Sequence, residues 1–422
     1  MRILFVLATT NTVMQLKSFS IYFVFNIINA ILPIVTLPFF TKYLTPDDFG
    51  TLTVFTIACM VSAVLFRMEI NIVLKRQSVE SKELLTTYLS TAFVFSHLMF
   101  LVGLVLIGLA QLFIPSWDQK LSIWALMVLF ISYSRFQTVN LHHLFQINNR
   151  ALIYGIWGLL ASLGSYGGAF LFLMATSLKW EARAWAELLV AIVGLFPAIY
   201  FLKKDYSLRW QFDYSVLKDT LRFSLPLLPG SFISYLFMVS DRLFLAKLVG
   251  PKELGLYSVA IQLSSAVSLF LGAILPPWES WLFNLKEGIT STNIDRILAR
   301  FLLVSVAMIL LMFVLPVFLN WVLPFLTSKN FLDAKYYLLP TMASATVSGL
   351  FALLIPVVTY LKQTAVIAVV HGVMLIINFS VLYPFIKFWG TAGAAYAVVT
   401  SYVLCGMGLI FFIRRTLNIS RS

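Results

Sequence analysis

The sequence has few charged residues. Asp, Glu, Lys and Arg make up 11% of the 422 residues, against 60% hydrophobic residues and a mean hydropathy of +0.93. Such a composition supplies too little polar surface to cover a soluble globule. It therefore excludes a soluble fold and predicts a polytopic membrane protein.

Motifs of common enzyme and metal sites are missing as well. The sequence has no Walker phosphate-binding motif, no CxxC pair, no HExxH and no GxSxG. Its two cysteines, Cys59 and Cys405, fall inside predicted helices of different halves, where each is expected to fill space rather than to form a disulfide. We therefore expect the protein not to be an enzyme, and we expect no cofactor and no metal.

Long polar loops are also absent, so no soluble domain is predicted. The two longest connections, 203–220 and 280–298, are charged and mildly amphipathic. Such segments are typical of chain that lies on the membrane surface. Residues 1–13 resemble a weak signal peptide without a cleavage site, and Met14 is an alternative start to Met1.

Long apolar runs dominate the rest of the chain. Crossing the hydrocarbon core takes roughly 18 to 25 apolar residues, and ten uncharged runs reach that length. Two more stretches reach it if they include Arg135 and Glu187, and nothing shows the sustained alternation of barrel strands. The sequence thus predicts an all-α protein with about twelve transmembrane helices, at 18–41, 49–66, 84–117, 121–145, 151–178, 184–202, 223–240, 254–278, 301–328, 336–361, 363–386 and 388–413.

Lys and Arg are distributed unevenly between the two ends of these helices. With a cytoplasmic N-terminus, the inner side carries roughly twice as many of them as the outer side. The positive-inside rule then places both termini in the cytoplasm. The formal net charge of +13 is accordingly a topology signal, and we expect no nucleic-acid partner.

One short motif occurs twice, about half the chain length apart. Residues 46–50 and 251–255 both read Pro, any residue, an acid, a large apolar residue and Gly. The repeat predicts two homologous halves, 1–205 and 206–422, with six helices each. Six is even, so the halves are expected to be related by a pseudo-two-fold axis along the membrane normal, with a cavity between them. We expect the motif itself to start and cap a helix rather than to bind a ligand.

Charged residues inside predicted helices are the sharpest functional signal, because each costs at least about 2.5 kcal/mol near the bilayer centre. Arg135 has no acidic neighbour in sequence, so we expect it to face a water-filled cavity, where a cation suits an anionic, phosphate-bearing substrate. All of the charged candidates, Arg135 included, have a second interpretation, as members of interhelical salt bridges or as side chains that reach the membrane surface. The substrate-cavity candidates are Arg67, Arg135, Asp241 and Arg242, and the ion-coupling candidates include Glu69 and Glu187.

Helical spacing separates the charges that are neighbours in sequence. At about 100° per residue, Arg67 and Glu69 point to nearly opposite faces of one helix. Asp241 and Arg242 diverge by about a quarter turn. Neither pair is therefore expected to neutralise itself fully, and partners on other helices are expected.

Two histidines and four prolines complete the candidates. His97 and His371 lie within predicted spans, and each is either a hydrogen-bonded packing residue or a proton carrier in ion coupling. Prolines interrupt the first helix of each half, where they permit bending, although proline is also generally frequent in membrane helices. The helix-bending candidates are Pro33, Pro38, Pro226 and Pro229.

An ordered set of landmarks lies at 44–50, 223–229, 240–245, 255–260, Asn378 and 390–395. Together these landmarks resemble one transporter family, the Wzx-type O-antigen and polysaccharide flippases of the multidrug/oligosaccharidyl-lipid/polysaccharide exporter superfamily. Only Asp241 and Arg242 among the site candidates match the family by motif. No single landmark is specific, but the ordered set covers nearly the whole chain.

The resemblance implies a MATE/MurJ-like bundle of two six-helix lobes around a central cavity. It implies transport of an oligosaccharide unit on undecaprenyl diphosphate, an O-antigen or related polysaccharide repeat, from the cytoplasmic to the periplasmic leaflet of the bacterial inner membrane. The implied mechanism is alternating access, with the polyprenyl tail left in lipid. Membrane lipid is an expected partner, the polysaccharide polymerase and chain-length machinery are candidate partners, and a monomer is the expected functional state.

Two other classes stay open. A multidrug or small-molecule cation antiporter of the same superfamily would have the same outline but would extrude organic cations through acidic sites. A membrane-embedded glycosyltransferase or polymerase would need a large outer loop with clustered acidic or Arg residues, and no predicted outer loop is that long. The sequence indicates neither the sugar carried nor the coupling ion.

Overall fold

A computed structural model shows an all-helical membrane protein, as predicted. It describes residues 2–80, 82–285 and 291–419, except for the side chains of 2–19, 75, 78–80, 82–83, 291–295, 364 and 417–419. Two short 3₁₀ segments, Leu225–Leu227 and Lys329–Ala334, adjoin the α-helices. In the described chain the α-helices are α1 (Arg2–Tyr43), α2 (Pro46–Arg67), α3 (Ile70–Glu80), α4 (Lys82–Phe113), α5 (Gln119–Ile147), α6 (Ala151–Ala175), α7 (Glu181–Tyr206), α8 (Tyr214–Ser224), α9 (Leu228–Leu248), α10 (Pro251–Phe283), α11 (Ser291–Leu326), α12 (Lys335–Tyr360), α13 (Thr364–Trp389) and α14 (Thr391–Ile419).

Nearly all of the long helices are apolar enough to cross a membrane. Within the described residues, eleven helical stretches meet the length and composition of a span. Helix α5 has 29 residues, about 44 Å, and is long enough to be the twelfth. Its polar side chains, Arg135 and two histidines among them, lower its apolar character. The prediction of about twelve spanning helices is confirmed.

Two short helices were not predicted as helices. Helix α3 follows a break at Met68 and Glu69, which both have left-handed backbone angles (φ 42° and 56°). Helix α8 overlaps the connection that was predicted to lie on the membrane surface. Both are too short and too charged to appear as apolar runs.

Local side chains explain why α8 begins where it does. Asp213 is its N-cap, and its Oδ1 accepts from the backbone N–H groups of Ser215 and Val216 at 2.8 and 3.2 Å. The Ser215 hydroxyl also donates to Oδ1 and has the largest effect in lowering the pKa of the Asp213 carboxyl, and the two N–H groups lower that pKa further. Leu217, Thr220 and Ser224 then form the buried side of α8, at helical spacing.

The chain forms two compact units. One comprises Met1–Leu32 and Phe55–Phe232, and the other comprises Pro33–Val54 and Ile233–Ser422. Buried side chains of α3, α4, α5, α7 and α8 form the main core of the first unit. The main core of the second draws on α9 to α14. The predicted equal halves and the axis that relates them stay a prediction.

The repeated motif forms a close helix crossing inside the second unit. A Cβ atom on Gly50 would lie 1.9 Å from the carbonyl oxygen of Pro251, and one on Gly255 would lie 1.8 Å from that of Pro46. The Thr53 hydroxyl donates to Ser258 Oγ at 2.8 Å, three residues beyond each glycine. Only glycine permits backbones to approach this closely. The motif therefore joins α2 to α10 in addition to starting both helices.

The acidic residue of each motif has a different role. Asp48 Oδ2 accepts from the backbone N–H and the hydroxyl of Thr45, at 2.9 and 2.7 Å, and so caps α2. Glu253 instead accepts from Tyr337 of α12 and, at 3.3 Å, from Thr391 of α14. The first acid thus acts locally, as expected, and the second connects three helices.

Candidate functional site

Helices α5, α6 and α7 line an open cavity in the first unit. Small residues let α6 and α7 approach closely: a Cβ atom on Gly168 would lie 3.3 Å from the Cβ of Ala186. Helix α5 is fixed to α7 by the Ser134 hydroxyl, which donates to the carbonyl of Ala191 at 2.7 Å. The cavity has a volume of about 550 Å³ and is lined by residues of all three helices.

Three charged residues meet in the lining of this cavity. Glu187 of α7 accepts from Arg135 Nη2 of α5 at 2.7 Å and lies 3.4 Å from Nε of Arg183, one turn earlier on its own helix. The Arg183 guanidinium also stacks 3.6 Å above the ring of Tyr166 on α6. We call Arg135, Arg183 and Glu187 the arginine–glutamate cluster. With two cations and one anion, it carries a net positive charge.

Arg135 is the accessible member of the cluster. Its side chain is 38% exposed, against 12% for Glu187 and 13% for Arg183. Arg135 uses one guanidinium nitrogen for Glu187, and a guanidinium has five N–H donors. The arrangement can therefore hold a carboxylate and still present donors to a second anion, such as a phosphate.

Arg135 lines the cavity and also forms an interhelical salt bridge with Glu187, which neutralises part of its charge. Both residues were candidates, but 52 sequence positions separate them, and spacing cannot show such a pairing. Arg183 was missed because it was assigned to an outer connection. The i, i+4 spacing of Arg183 and Glu187 was the available signal.

Asp241 and Arg242 form a second charged site, in the second unit. Arg242 Nε lies 3.4 Å from Asp241 Oδ1, and its Nη2 donates to the carbonyl of Met238 at 2.9 Å. The long Arg242 side chain folds back along its own helix and reaches Asp241 in spite of the quarter-turn divergence. A partner on another helix was correctly expected: the buried Tyr257 hydroxyl of α10 donates to Asp241 Oδ2 at 2.8 Å.

Neither histidine joins these charged sites. His97 Nδ1 lies 2.7 Å from the carbonyl of Phe93, and its Nε2 lies 2.7 Å from the Tyr133 hydroxyl. His371 Nδ1 lies 2.8 Å from the carbonyl of Ile367 on its own helix. These contacts satisfy ring nitrogens locally, as the packing interpretation requires, and proton coupling stays a prediction.

Arg67 and Glu69 do not lie on one continuous helix. Helix α2 ends at Arg67, and the left-handed backbone at Met68 and Glu69 redirects the chain into α3. The prediction of opposite helix faces was therefore wrong. Glu69 is buried, and Arg67 is partly buried.

The four prolines fall in two different environments. Pro33 and Pro38 lie inside α1, and the Pro33 carbonyl accepts from Gln262 of α10. Pro226 lies in the 3₁₀ segment before α9, and Pro229 lies in the first turn of α9. Pro226 and Pro229 were predicted to interrupt the interior of a helix, but they lie at the junction before α9 and in its first turn. Bending at any of the four stays a prediction.

Comparisons with known proteins place these features in context. A family model described as "Polysaccharide biosynthesis protein" matches residues 15–278. A curated relative, "Lsg locus putative protein 1" of Haemophilus influenzae, is 25% identical over 182 residues. That match covers 42% of this chain and 44% of the relative, so the chain matches less than half of that protein's length.

Solved structures show a likeness over most of the chain. The lipid II flippase MurJ in an inward closed conformation aligns with a TM-score of 0.73 at 16% identity, over 93% of this chain and 87% of that one. An inward-facing multidrug resistance transporter of the MATE family and MOP superfamily aligns with a TM-score of 0.70 at 13% identity, over 92% and 95%. A point mutant of the Vibrio cholerae MATE transporter VcmN aligns with a TM-score of 0.65 at 15% identity, over 97% and 98%. At these identities the likeness shows the fold.

Proposed function

Because the chain belongs to the polysaccharide biosynthesis protein family, we propose that it is a flippase for an oligosaccharide linked to undecaprenyl diphosphate. The substrate is an O-antigen or related polysaccharide repeat unit. It moves from the cytoplasmic to the periplasmic leaflet of the bacterial inner membrane, with both protein termini in the cytoplasm. Membrane lipid surrounds the protein, which works as a monomer alongside the polymerase and chain-length machinery.

The arginine–glutamate cluster is the observation that supports an anionic substrate. A diphosphate carries negative charge in a compact group, and Arg135 offers exposed guanidinium donors at a cavity of about 550 Å³. Glu187 keeps the arginines from being unpaired in the membrane, where an isolated charge is costly. The diphosphate then competes with Glu187 for Arg135.

Alternating access fits this chemistry. The diphosphate and sugars occupy polar space in the protein, while the polyprenyl tail stays in lipid, since each buried CH₂ contributes about 0.8 kcal/mol. The substrate shifts the protein between states by binding one of them more tightly. The prolines in α1 and before α9 are the positions at which helices bend in this scheme.

A cation antiporter is less well supported by the same contacts. Such a transporter needs an acidic group that is available to a cation. Among the described residues, Glu187 is engaged by two arginines, and Asp241 by Arg242 and Tyr257. These two membrane acids are therefore already neutralised by protein donors.

The proposal is tested by measuring leaflet-resolved lipid-linked oligosaccharide in cells that express only a variant protein. Arg135→Ala is expected to leave the oligosaccharide in the cytoplasmic leaflet. Lys387→Ala removes an exposed cation at the end of α13 and is the matched control, with expected normal transport. Normal transport by Arg135→Ala at an equal protein level would remove Arg135 from the mechanism. A deletion strain with unchanged surface polysaccharide and increased drug sensitivity would instead establish the antiporter.

A further inference from the structure

The connection between α7 and α8 is fastened along α4. Leu208 is buried, and the Arg209 N–H donates to Ser90 Oγ at 3.0 Å. The Asp213 N–H donates to Thr91 Oγ1 at 3.3 Å. Two backbone anchors on one spanning helix hold the segment in place, so its side chains form a defined surface.

Three aromatic residues of this segment are exposed at alternate positions. Trp210 and Tyr214 are each 71% exposed and Phe212 is 43% exposed. Trp210 also packs edge-on against His97 of α4, with ring centroids 4.9 Å apart, nearly two turns beyond the serine that anchors the segment. The indole therefore extends along a spanning helix, and exposed Trp and Tyr in such positions mark the membrane–water boundary.

Five exposed basic residues lie in the same segment as these aromatic residues. None of these five basic side chains forms a salt bridge with a described residue. Of the three acids in the segment, Asp205 is paired with Arg150 and Asp213 caps α8, which leaves Asp219. The five are Lys203, Lys204, Arg209, Lys218 and Arg222.

We infer that residues 203–223, the basic–aromatic surface, bind the head groups of anionic phospholipids. The aromatic residues hold the segment at the boundary, and the exposed cations contact negative head groups there. The positive charge of the surface favours an anionic lipid over an uncharged sugar. A sugar that stacks on Trp210 would leave the five basic side chains without an anionic partner. This inference concerns the surrounding lipid and holds independently of what the protein transports.

Native mass spectrometry of the full-length, detergent-purified protein tests the inference. The protein is titrated with dioleoyl phosphatidylglycerol and, separately, with dioleoyl phosphatidylcholine. Wild type is expected to bind phosphatidylglycerol more tightly. The double variant Lys218→Gln/Arg222→Gln is expected to lower that affinity about 25-fold, roughly five-fold for each charge, and to leave the phosphatidylcholine affinity unchanged.

Two further variants make the test decisive. Lys203→Gln/Lys204→Gln removes two exposed charges at the other end of the surface and is expected to produce the same selective loss, even if changes in α8 affect folding. Lys329→Gln/Lys335→Gln removes two exposed lysines in the second unit and is expected to leave both affinities unchanged.

Three results would overturn the inference. The first is an unchanged preference for phosphatidylglycerol in both surface variants. The second is an equal loss in the control variant, which would indicate a general charge effect. The third is retained lipid preference together with weakened binding of a soluble oligosaccharide, which would assign the surface to sugar recognition.

Discussion

At the scale of single residues, pairing decides which membrane-embedded charges remain available to a ligand. Arg135 and Glu187 were both recognisable from the sequence, because each interrupts an otherwise apolar span. Their contact was not recognisable, because it depends on how α5 packs against α7. The roles of Tyr166 and Tyr257 were hidden for the same reason, since an aromatic residue in a membrane helix carries no signal of its partner.

Replacing Glu187 by Gln is expected to tighten the binding of inorganic pyrophosphate. Without the carboxylate, Arg135 and Arg183 lose their internal counter-ion and become available to the added anion. We expect a five- to tenfold gain in affinity, about 1 to 1.4 kcal/mol, in isothermal titration calorimetry of the purified protein.

The matched control for this measurement is Glu279→Gln, which removes an exposed carboxylate elsewhere. Its affinity for pyrophosphate should equal that of wild type. An unchanged or weaker affinity in Glu187→Gln would contradict competition between the carboxylate and the phosphate.

At the scale of helices, patterns in the sequence predicted the long elements and missed the short ones. The start of α2 was predictable, because proline and an acid at a helix start follow from backbone geometry and charge. The contact of the two glycines was not, because it requires knowing that α2 and α10 cross. The short α8 was hidden within a charged connection.

Gly50→Ala and Gly255→Ala are each expected to destabilise the protein by about 3 kcal/mol or more. The added methyl group would meet a backbone carbonyl, which cannot rotate away as a side chain can. Fluorescence-detected size-exclusion chromatography after heating should show loss of the monodisperse peak at lower temperature.

Gly272 and Gly372 provide controls, since a Cβ atom on either has open space around it. Alanine at these helical positions is expected to be neutral or to stabilise by up to about 1 kcal/mol. Equal losses in all four variants would show that the crossing has no special steric demand.

The cap of α8 gives a pH-dependent prediction. Because folding lowers the pKa of Asp213, its contribution to α8 is complete above the unfolded pKa and is lost as pH falls through the folded value. Hydrogen exchange of the α8 amides should therefore accelerate below about pH 4 in wild type.

Asp213→Ala should exchange rapidly in α8 at neutral pH and should lose this acid dependence. Asp219→Ala, which removes an exposed carboxylate within the same helix, serves as the control and should keep the acid dependence of exchange. Acid dependence that persists in Asp213→Ala would assign the effect to another group.

At the scale of the whole molecule, composition alone predicted the class of fold. A chain with 60% hydrophobic residues must be covered by lipid, and its backbone must then satisfy its hydrogen bonds within helices. Composition could not predict which helices form each compact unit. That division falls within α1, α2 and α9 and depends on packing between distant segments.

The orientation in the membrane is testable with single cysteines. Cys59 and Cys405 are both buried, so the natural thiols should give little background. A membrane-impermeant maleimide should label Lys120→Cys in intact cells, and should label Lys218→Cys only after the inner membrane is opened. The reverse pattern would invert the topology that the positive-inside rule predicts.

The contact of α2 and α10 at Gly50 and Gly255 indicates how a chain with two copies of the motif evolved. Pro251 contacts Gly50 in the same way that Pro46 contacts Gly255, and Thr53 bonds to its own repeat equivalent, Ser258. This reciprocity is the isologous contact of a two-fold homodimer. A half-length ancestor with one copy of the motif would have possessed a surface complementary to itself, so gene duplication and fusion could have joined two subunits without the invention of a new interface.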